Sequence, residues 1–177
     1  IKAMRQIAGS LRLELAQFRE LAAFSQFSAD LDKTTKQQLD RGERLTEILK
    51  QKQYQPMETY DQIMIIYAGT HGYLDNYPVS KLEVYERHLH IFLREKYKSF
   101  MEKLRESGQF TEELDKEARE VLDDFAGQFD PSLSLESLEA KFYSRHSLIM
   151  SAADSPGMNR LEIYKLIERV TAKELRT

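Results

Sequence analysis

The sequence predicts an all-α protein, a helical bundle-like body followed by a two-helix tail. Three observations predict it. Apolar residues recur at steps of three and four in one segment after another, cap and turn residues separate those segments, and nothing in the chain requires a strand.

The elements follow in chain order. Ile7, Leu11, Leu15, Phe18 and Ala22 form one stripe of a helix about four turns long. Asp32 offers a side-chain cap to a second helix bearing Leu39, Leu45, Ile48 and Leu49, in which Gly42 is a weak point of about 1 kcal/mol relative to alanine and a place for a bend. Pro56 closes the polar stretch Gln51 to Gln55, because proline pushes its predecessor out of helical geometry. Thr59 is expected to cap a short, very apolar helix, Ile63 to Ala68, buried nearly all round and central to the core. Gly69 to Pro78 combines two glycines, Asp75-Asn76 and a proline, which reads as a helix-turn-helix corner with an exposed tip.

Ser80 and Glu83 read as a capping box for a helix through Leu82, Tyr85, Leu89, Phe92, Leu93 and Tyr97, with Phe100 and Leu104 prolonging its face until Gly108. Thr111 caps another helix, through Leu114, Ala118, Val121 and Leu122 to Phe125. Gly127 and Pro131 then make a break, and a second unit begins. Its apolar residues run from Leu133 to Ile149. A turn at Asp154 to Gly157 leads to a last helix, with Asn159 and Glu162 as capping pair and Ile163, Leu166, Ile167 and Val170 as its face. The domains are therefore 1–129 and 130–177.

Bulk composition removes several functions. At 177 residues, 41% apolar and 31% charged, the balance is that of a soluble globular chain. There is no long apolar run for a membrane span and no signal peptide. Without cysteine there are no disulfides, thiolate metal sites or cysteine nucleophiles. A net charge of -3 leaves no excess of positive charge for a phosphate backbone, so no nucleic acid partner is expected. The start at Ile1, inside an amphipathic pattern and without an initiator methionine, is read as part of a longer chain with an upstream portion.

Chemistry-bearing residues are sparse. None of the seven glycines is followed by lysine and no G-x-G spacing occurs, so no phosphate-cradling loop is present. His88 and His90 diverge by about 200 degrees on a helix and cannot share a metal unaided. No H-E-x-x-H and no Ser-His-Asp arrangement is visible, and no metal site or catalytic residue is assigned. Glu112, Glu113 and Asp115 sit in a first helical turn, where the macrodipole favours negative charge. Two features are left over. Gln51-Lys52-Gln53-Tyr54-Gln55-Pro56 clusters amides that donate and accept at once, as an adenine edge requires, and it reads either as a ligand site or as a plain polar helix end. The corner from Thr70 to Pro78 carries Tyr73, Leu74 and Tyr77, which either cap their own helices or meet a partner.

A specific resemblance joins these features. Residues 1 to 21, Ile-Lys-Ala-Met-Arg-Gln-Ile-Ala-Gly-Ser-Leu-Arg-Leu-Glu-Leu-Ala-Gln-Phe-Arg-Glu-Leu, are similar to the opening of the C-terminal helical domain of F-type ATP synthase alpha subunits. Phe24-Ser-Gln-Phe, Asp30-Leu-Asp, Arg41-Gly, Leu49-Lys-Gln-Lys-Gln-Tyr-Gln-Pro, Ile66-Tyr-Ala-Gly and Gly72-Tyr-Leu-Asp follow in the family's order, and the match fades after residues 123 to 129. Residues 130 to 177 resemble nothing recognised. They carry seven basic and seven acidic residues, and their partner is open.

The resemblance implies a non-catalytic structural part of a proton-translocating rotary ATP synthase. Its beta barrel and P-loop domain would lie upstream, and catalytic residues there and in the beta subunit, so the chain is not expected to be an enzyme alone. It implies that Gln51 and Gln53 contact the adenine of ATP or ADP, held with magnesium at the non-catalytic site of the assembled subunit, and that this chain alone binds none. It implies contact of the corner, through His71, Tyr73, Leu74, Asp75 and Tyr77, with the gamma subunit of the central stalk. Beta subunits and the upstream part of the alpha subunit are further expected partners, and membrane association would arise only through the complex. Many family members carry arginine where His71 stands, so a permanent positive charge there is lost above the usual histidine pKa of about 6.5. The Gln-Tyr-x-Pro and Tyr-Ala-Gly variants point to the mitochondrial inner membrane, matrix side, over the cytoplasmic face of a bacterial plasma membrane or the stromal face of a thylakoid. The alternative is a stand-alone helical adaptor related to that domain.

Overall fold

The computed structural model describes residues 1–25, 31–51 and 57–134. The chain divides into two units, Ile1–Ser132 and Leu133–Thr177. The tail's apolar faces after Ser134 and its capping pair lie outside the described residues, as does Gln53.

Six α-helices build the first unit: α1 (Lys2–Ser25), α2 (Lys33–Ile48), α3 (Thr59–Thr70), α4 (Leu82–Lys96), α5 (Lys98–Ser107) and α6 (Glu112–Gln128), with a 3₁₀ turn at Val79–Lys81. There is no strand among the described residues. The all-α expectation holds for this body.

The core centres on α3. Residues 63 to 69 of this helix are buried without interruption, so it shows no amphipathic stripe and must be covered on all sides. α1, α2, α4 and α5 all pack against it. α6 closes over α5 and inserts Phe125 into a layer of rings with Tyr85 at 5.0 Å and Phe92 at 5.2 Å. Phe129 lies 5.0 Å from both Tyr77 and Tyr85 and seals the end of that layer. Removing any one such ring leaves a cavity worth about 3 to 5 kcal/mol.

Several local expectations hold because the chemistry deciding them is local. The Asp32 carboxylate accepts the Thr35 N–H at 2.7 Å and caps α2. The Thr111 hydroxyl accepts the Leu114 N–H at 3.2 Å, with Glu112, Glu113 and Asp115 in the first turn of α6. Gly108 ends α5 with φ of 61°.

Three expectations are corrected. Thr59 is not the cap of α3: Glu58 occupies the N-cap, and its carboxylate is held instead by Arg105 through two bonds of 3.1 and 2.7 Å. Ser80 does not cap α4 either, because Pro78 starts a 3₁₀ turn that contains Ser80, and α4 begins at Leu82 without a side-chain cap. The helix expected to run through Phe100 and Leu104 is broken at Tyr97 (φ -119°, ψ 33°), whose hydroxyl bonds Asp124 of α6 at 2.7 Å while Lys96 reaches the same oxygen at 2.7 Å. Beyond that break Phe100 and Leu104 lie on α5, where both are buried. At Gly42, α2 continues without a break. A Cβ there would stand 2.3 Å from the Phe18 ring, so this glycine lets α1 approach α2 closely.

Among the described residues the one buried charged side chain is Asp61, 1% exposed, in the first turn of α3. It is paired with Arg94 in the last turn of α4. Each group sits at the helix end whose dipole favours its sign. His90, one turn before Arg94 on α4, is held below the ordinary histidine pKa by burial, with Asp61 opposing and Arg94 reinforcing the shift.

Candidate functional site

The corner between α3 and α4 is a closed helix terminus followed by two tight turns. Gly72 takes φ of 84°, the left-handed conformation that glycine accepts without cost. With it, Tyr73 N–H bonds the Ala68 carbonyl at 3.0 Å and Gly72 N–H bonds the Gly69 carbonyl at 3.3 Å, the paired closure of a Schellman end. Asp75 N–H then bonds Gly72 O at 3.2 Å and Tyr77 N–H bonds Leu74 O at 3.1 Å. The chain is thus locked residue by residue up to Pro78.

Two arginines one turn apart on α2 fasten this loop to the bundle. Arg41 donates from Nη2 to the Thr70 carbonyl at 2.5 Å, and Arg44 donates from Nε to the Tyr77 carbonyl at 2.7 Å. Arg41 also lies 3.0 Å from Glu14 of α1 and 3.5 Å from Asp75. Burial raises the Glu14 pKa, and the neighbouring Arg41 offsets part of that rise. The sequence reading did not single out these arginines for this role. Their acceptors are carbonyls, which leave no trace in side-chain identity; the only available sign was a pair of arginines at i and i+3 preceding a turn.

The expected contact residues divide under this geometry. Leu74, expected at an exposed tip, is 1% exposed, a correction that follows from the loop folding back over the core. It offers no side chain to a partner. Tyr77 is half-buried against Tyr85 at 5.3 Å and Phe129 at 5.0 Å. Tyr73 is also half-buried and donates its hydroxyl to Asp123 at 3.0 Å; burial and this acceptor push its pKa up to about 12. His71 and Asp75 are the exposed members.

His71 stacks on Tyr67 with ring centroids 3.8 Å apart and planes at 15°. Its Nδ1 lies 2.8 Å from the Tyr67 carbonyl, and because a carbonyl can only accept, Nδ1 carries the proton of the neutral ring. Beneath it, the Tyr67 hydroxyl donates to Asp115 at 2.7 Å, and Arg119 reaches the other Asp115 oxygen at 3.0 Å. Burial pushes the Asp115 pKa up, but Tyr67 and Arg119 outweigh it and the net shift is downward.

Gln51 stands exposed just beyond the end of α2, with no side-chain hydrogen bond among the described residues. An amide so placed has both its donor and its acceptor free for a ligand edge. His88 packs edge-on to Phe125 at 5.3 Å. Among the described residues, no three His, Asp or Glu side chains come together as metal ligands, and no helix is long and apolar enough to cross a membrane.

The described residues thus form a helical bundle whose corner between α3 and α4 is fastened to α2 by Arg41 and Arg44. Residues 1–125 match the family described as ATP synthase alpha/beta chain, C terminal domain. The chain belongs to that family. It is 50% identical over 131 residues to the ATP synthase subunit alpha of Aquifex aeolicus (strain VF5), covering 74% of this chain and 26% of that protein. To the ATP synthase subunit alpha of Petrotoga mobilis (strain DSM 10674 / SJ95) it is 48% identical over 128 residues, 72% of this chain and 25% of that protein. The chain therefore spans about a quarter of the length of these relatives. Both come from bacteria, which lends no support to the mitochondrial expectation.

Proposed function

We propose that this chain serves as the non-catalytic C-terminal helical module of the alpha subunit in a proton-driven rotary ATP synthase, at the cytoplasmic face of a bacterial plasma membrane, packed with beta subunits around a central gamma stalk. The observation that carries this reading is the fastened corner. A surface touched repeatedly by a turning shaft has to hold its shape, and here Arg41 and Arg44 tie both ends of the loop to α2 through main-chain carbonyls. The exposed His71 and Asp75 form its crest.

Gln51 and Gln53 contribute adenine contacts for ATP or ADP with magnesium at the non-catalytic site; the free amide of Gln51 suits that use. The nucleotide supplies occupancy of a structural site there, and the amides only orient its base. In the full alpha subunit, Gln51→Ala and Gln53→Ala are expected to weaken non-catalytic nucleotide binding by up to about tenfold per lost bond. Bound nucleotide counted after gel filtration of the assembled complex tests this. Unchanged occupancy in both variants would remove the adenine role. Recovery of the chain from its source as a small monomer, free of beta and gamma subunits, would favour the adaptor reading.

A further inference from the structure

The outward face of α1 carries a repeat that the bundle does not use. Arg5, Arg12 and Arg19 are seven residues apart, which puts them on one edge of the helix about 10.5 Å from one to the next. All three are exposed, and none makes an ion pair or side-chain hydrogen bond among the described residues. Beside that row runs an exposed lane of Gly9, Leu13, Ala16, Glu20 and Ala23, spaced four, three, four and three residues apart. Leu13 is 61% exposed, and so is Phe24 next to the lane. In heptad terms the lane fills the a and d positions of a seam, and the arginines fill every flanking g position.

Gly9 sharpens the picture. It lies in a helix interior, where glycine costs about 1 kcal/mol relative to alanine, yet a Cβ there would meet nothing within 4 Å. Gly42 is different, since Phe18 fills its space. The bundle therefore gains nothing from Gly9, whereas a partner backbone crossing at the lane would.

We propose that this face of α1 is a docking seam for an acidic α-helix of a partner protein, with Arg5, Arg12 and Arg19 gripping carboxylates along one edge of that helix. Charge complementarity selects the occupant. A second copy of this chain would set arginine against arginine in an antiparallel pair, and against Ser10, Gln17 and Phe24 in a parallel one. The tail after residue 129 balances seven basic with seven acidic residues and so offers no net attraction. A phosphate polymer would use the arginines but leave the lane with Leu13 unmatched.

The test uses the 177-residue chain and two synthetic three-heptad helical peptides with identical apolar positions, one with glutamate and one with lysine at its flanking positions. Fluorescence anisotropy should show the glutamate peptide binding at least about tenfold tighter, with affinity falling as salt rises. Reversing all three arginines, Arg5→Glu, Arg12→Glu and Arg19→Glu, should exchange the preference to the lysine peptide; Arg12→Gln should give a partial loss. Gly9→Leu should abolish binding while leaving the chain folded by circular dichroism. Equal binding of the two peptides, or a glutamate preference that survives the triple reversal, would overturn the proposal. So would stronger competition by phosphatidylglycerol vesicles, by duplex DNA, or by a peptide of residues 135–177.

Discussion

Two glycines in helix interiors allow one substitution to be read with opposite signs. Gly9→Ala adds a methyl to open space, so the only effect is the better helix propensity, a gain of about 1 kcal/mol. Gly42→Ala gains the same propensity but places its Cβ 2.3 to 2.4 Å from Phe18 Cδ2, Cγ and Cβ. Contact with Phe18 Cβ means that rotating the ring does not clear the space; α1 must move away from α2. Overpacking of that kind costs about 1 to 3 kcal/mol, and the upper half of that range applies here, leaving a net loss of about 1 to 2 kcal/mol. The two variants should therefore differ by about 2 to 3 kcal/mol, read as opposite shifts of the urea midpoint at constant slope. In a Phe18→Gly background, which removes the Cβ as well as the ring, Gly42→Ala should become stabilising. If Gly42→Ala stabilises as much as Gly9→Ala, or if removing Phe18 leaves its sign unchanged, the close packing of α1 on α2 is refuted.

Three further outcomes are expected. Arg44→Met removes a charge-assisted bond to Tyr77 O worth about 1.5 to 3 kcal/mol, so amide exchange should accelerate around the corner while the core amides of α3 keep their protection. Burial holds the folded pKa of His90 below the unfolded value of about 6.5; the unfolded chain then binds the extra proton first, so stability declines as pH falls below about 6.5, and His90→Gln should flatten that decline in urea titrations from pH 7.5 to about 5. Asp115 and Asp124 have depressed pKa values, so the stability they contribute is present above the ordinary aspartate value of about 3.9 and is lost as pH falls through their lower folded values; Asp115→Asn should reduce the acid sensitivity below that point.

How far the sequence could be read depended on the range of the interaction that decides each element. Asp32, Thr111 and Gly108 act on backbone groups within a few residues, and their roles were legible. Thr59 looked equally convincing as a cap, but Glu58 takes that place and Arg105, 47 residues on, holds its carboxylate. The break at Tyr97 is likewise braced by Asp124, which the apolar period across Phe92 and Phe100 cannot reveal. That Gly42 makes room for Phe18 was not legible, because Phe18 lies in another helix. At the site, turn chemistry correctly placed the corner, and it could not tell which of its apolar residues face inward. Leu74 went to the core because the Schellman closure at Gly72 turns the chain back over the bundle.

That inward turn alters what the corner can offer. Four of its carbonyls are engaged from within: Thr70 O by Arg41, Tyr77 O by Arg44, Gly72 O by Asp75 N–H and Leu74 O by Tyr77 N–H. Tyr73 spends its hydroxyl on Asp123, and Tyr77 spends its ring on Tyr85 and Phe129. What is left for a partner is a stiff ridge, with the outer part of the His71 ring, Asn76, and an Asp75 carboxylate already partly balanced by Arg41. A ridge of that kind resists deformation while forming few directional bonds, and directional bonds would favour one orientation of a rotating partner over the others. On that ground the proposed contact depends on Arg41 and Arg44, which hold the ridge in place, more than on any side chain at its crest.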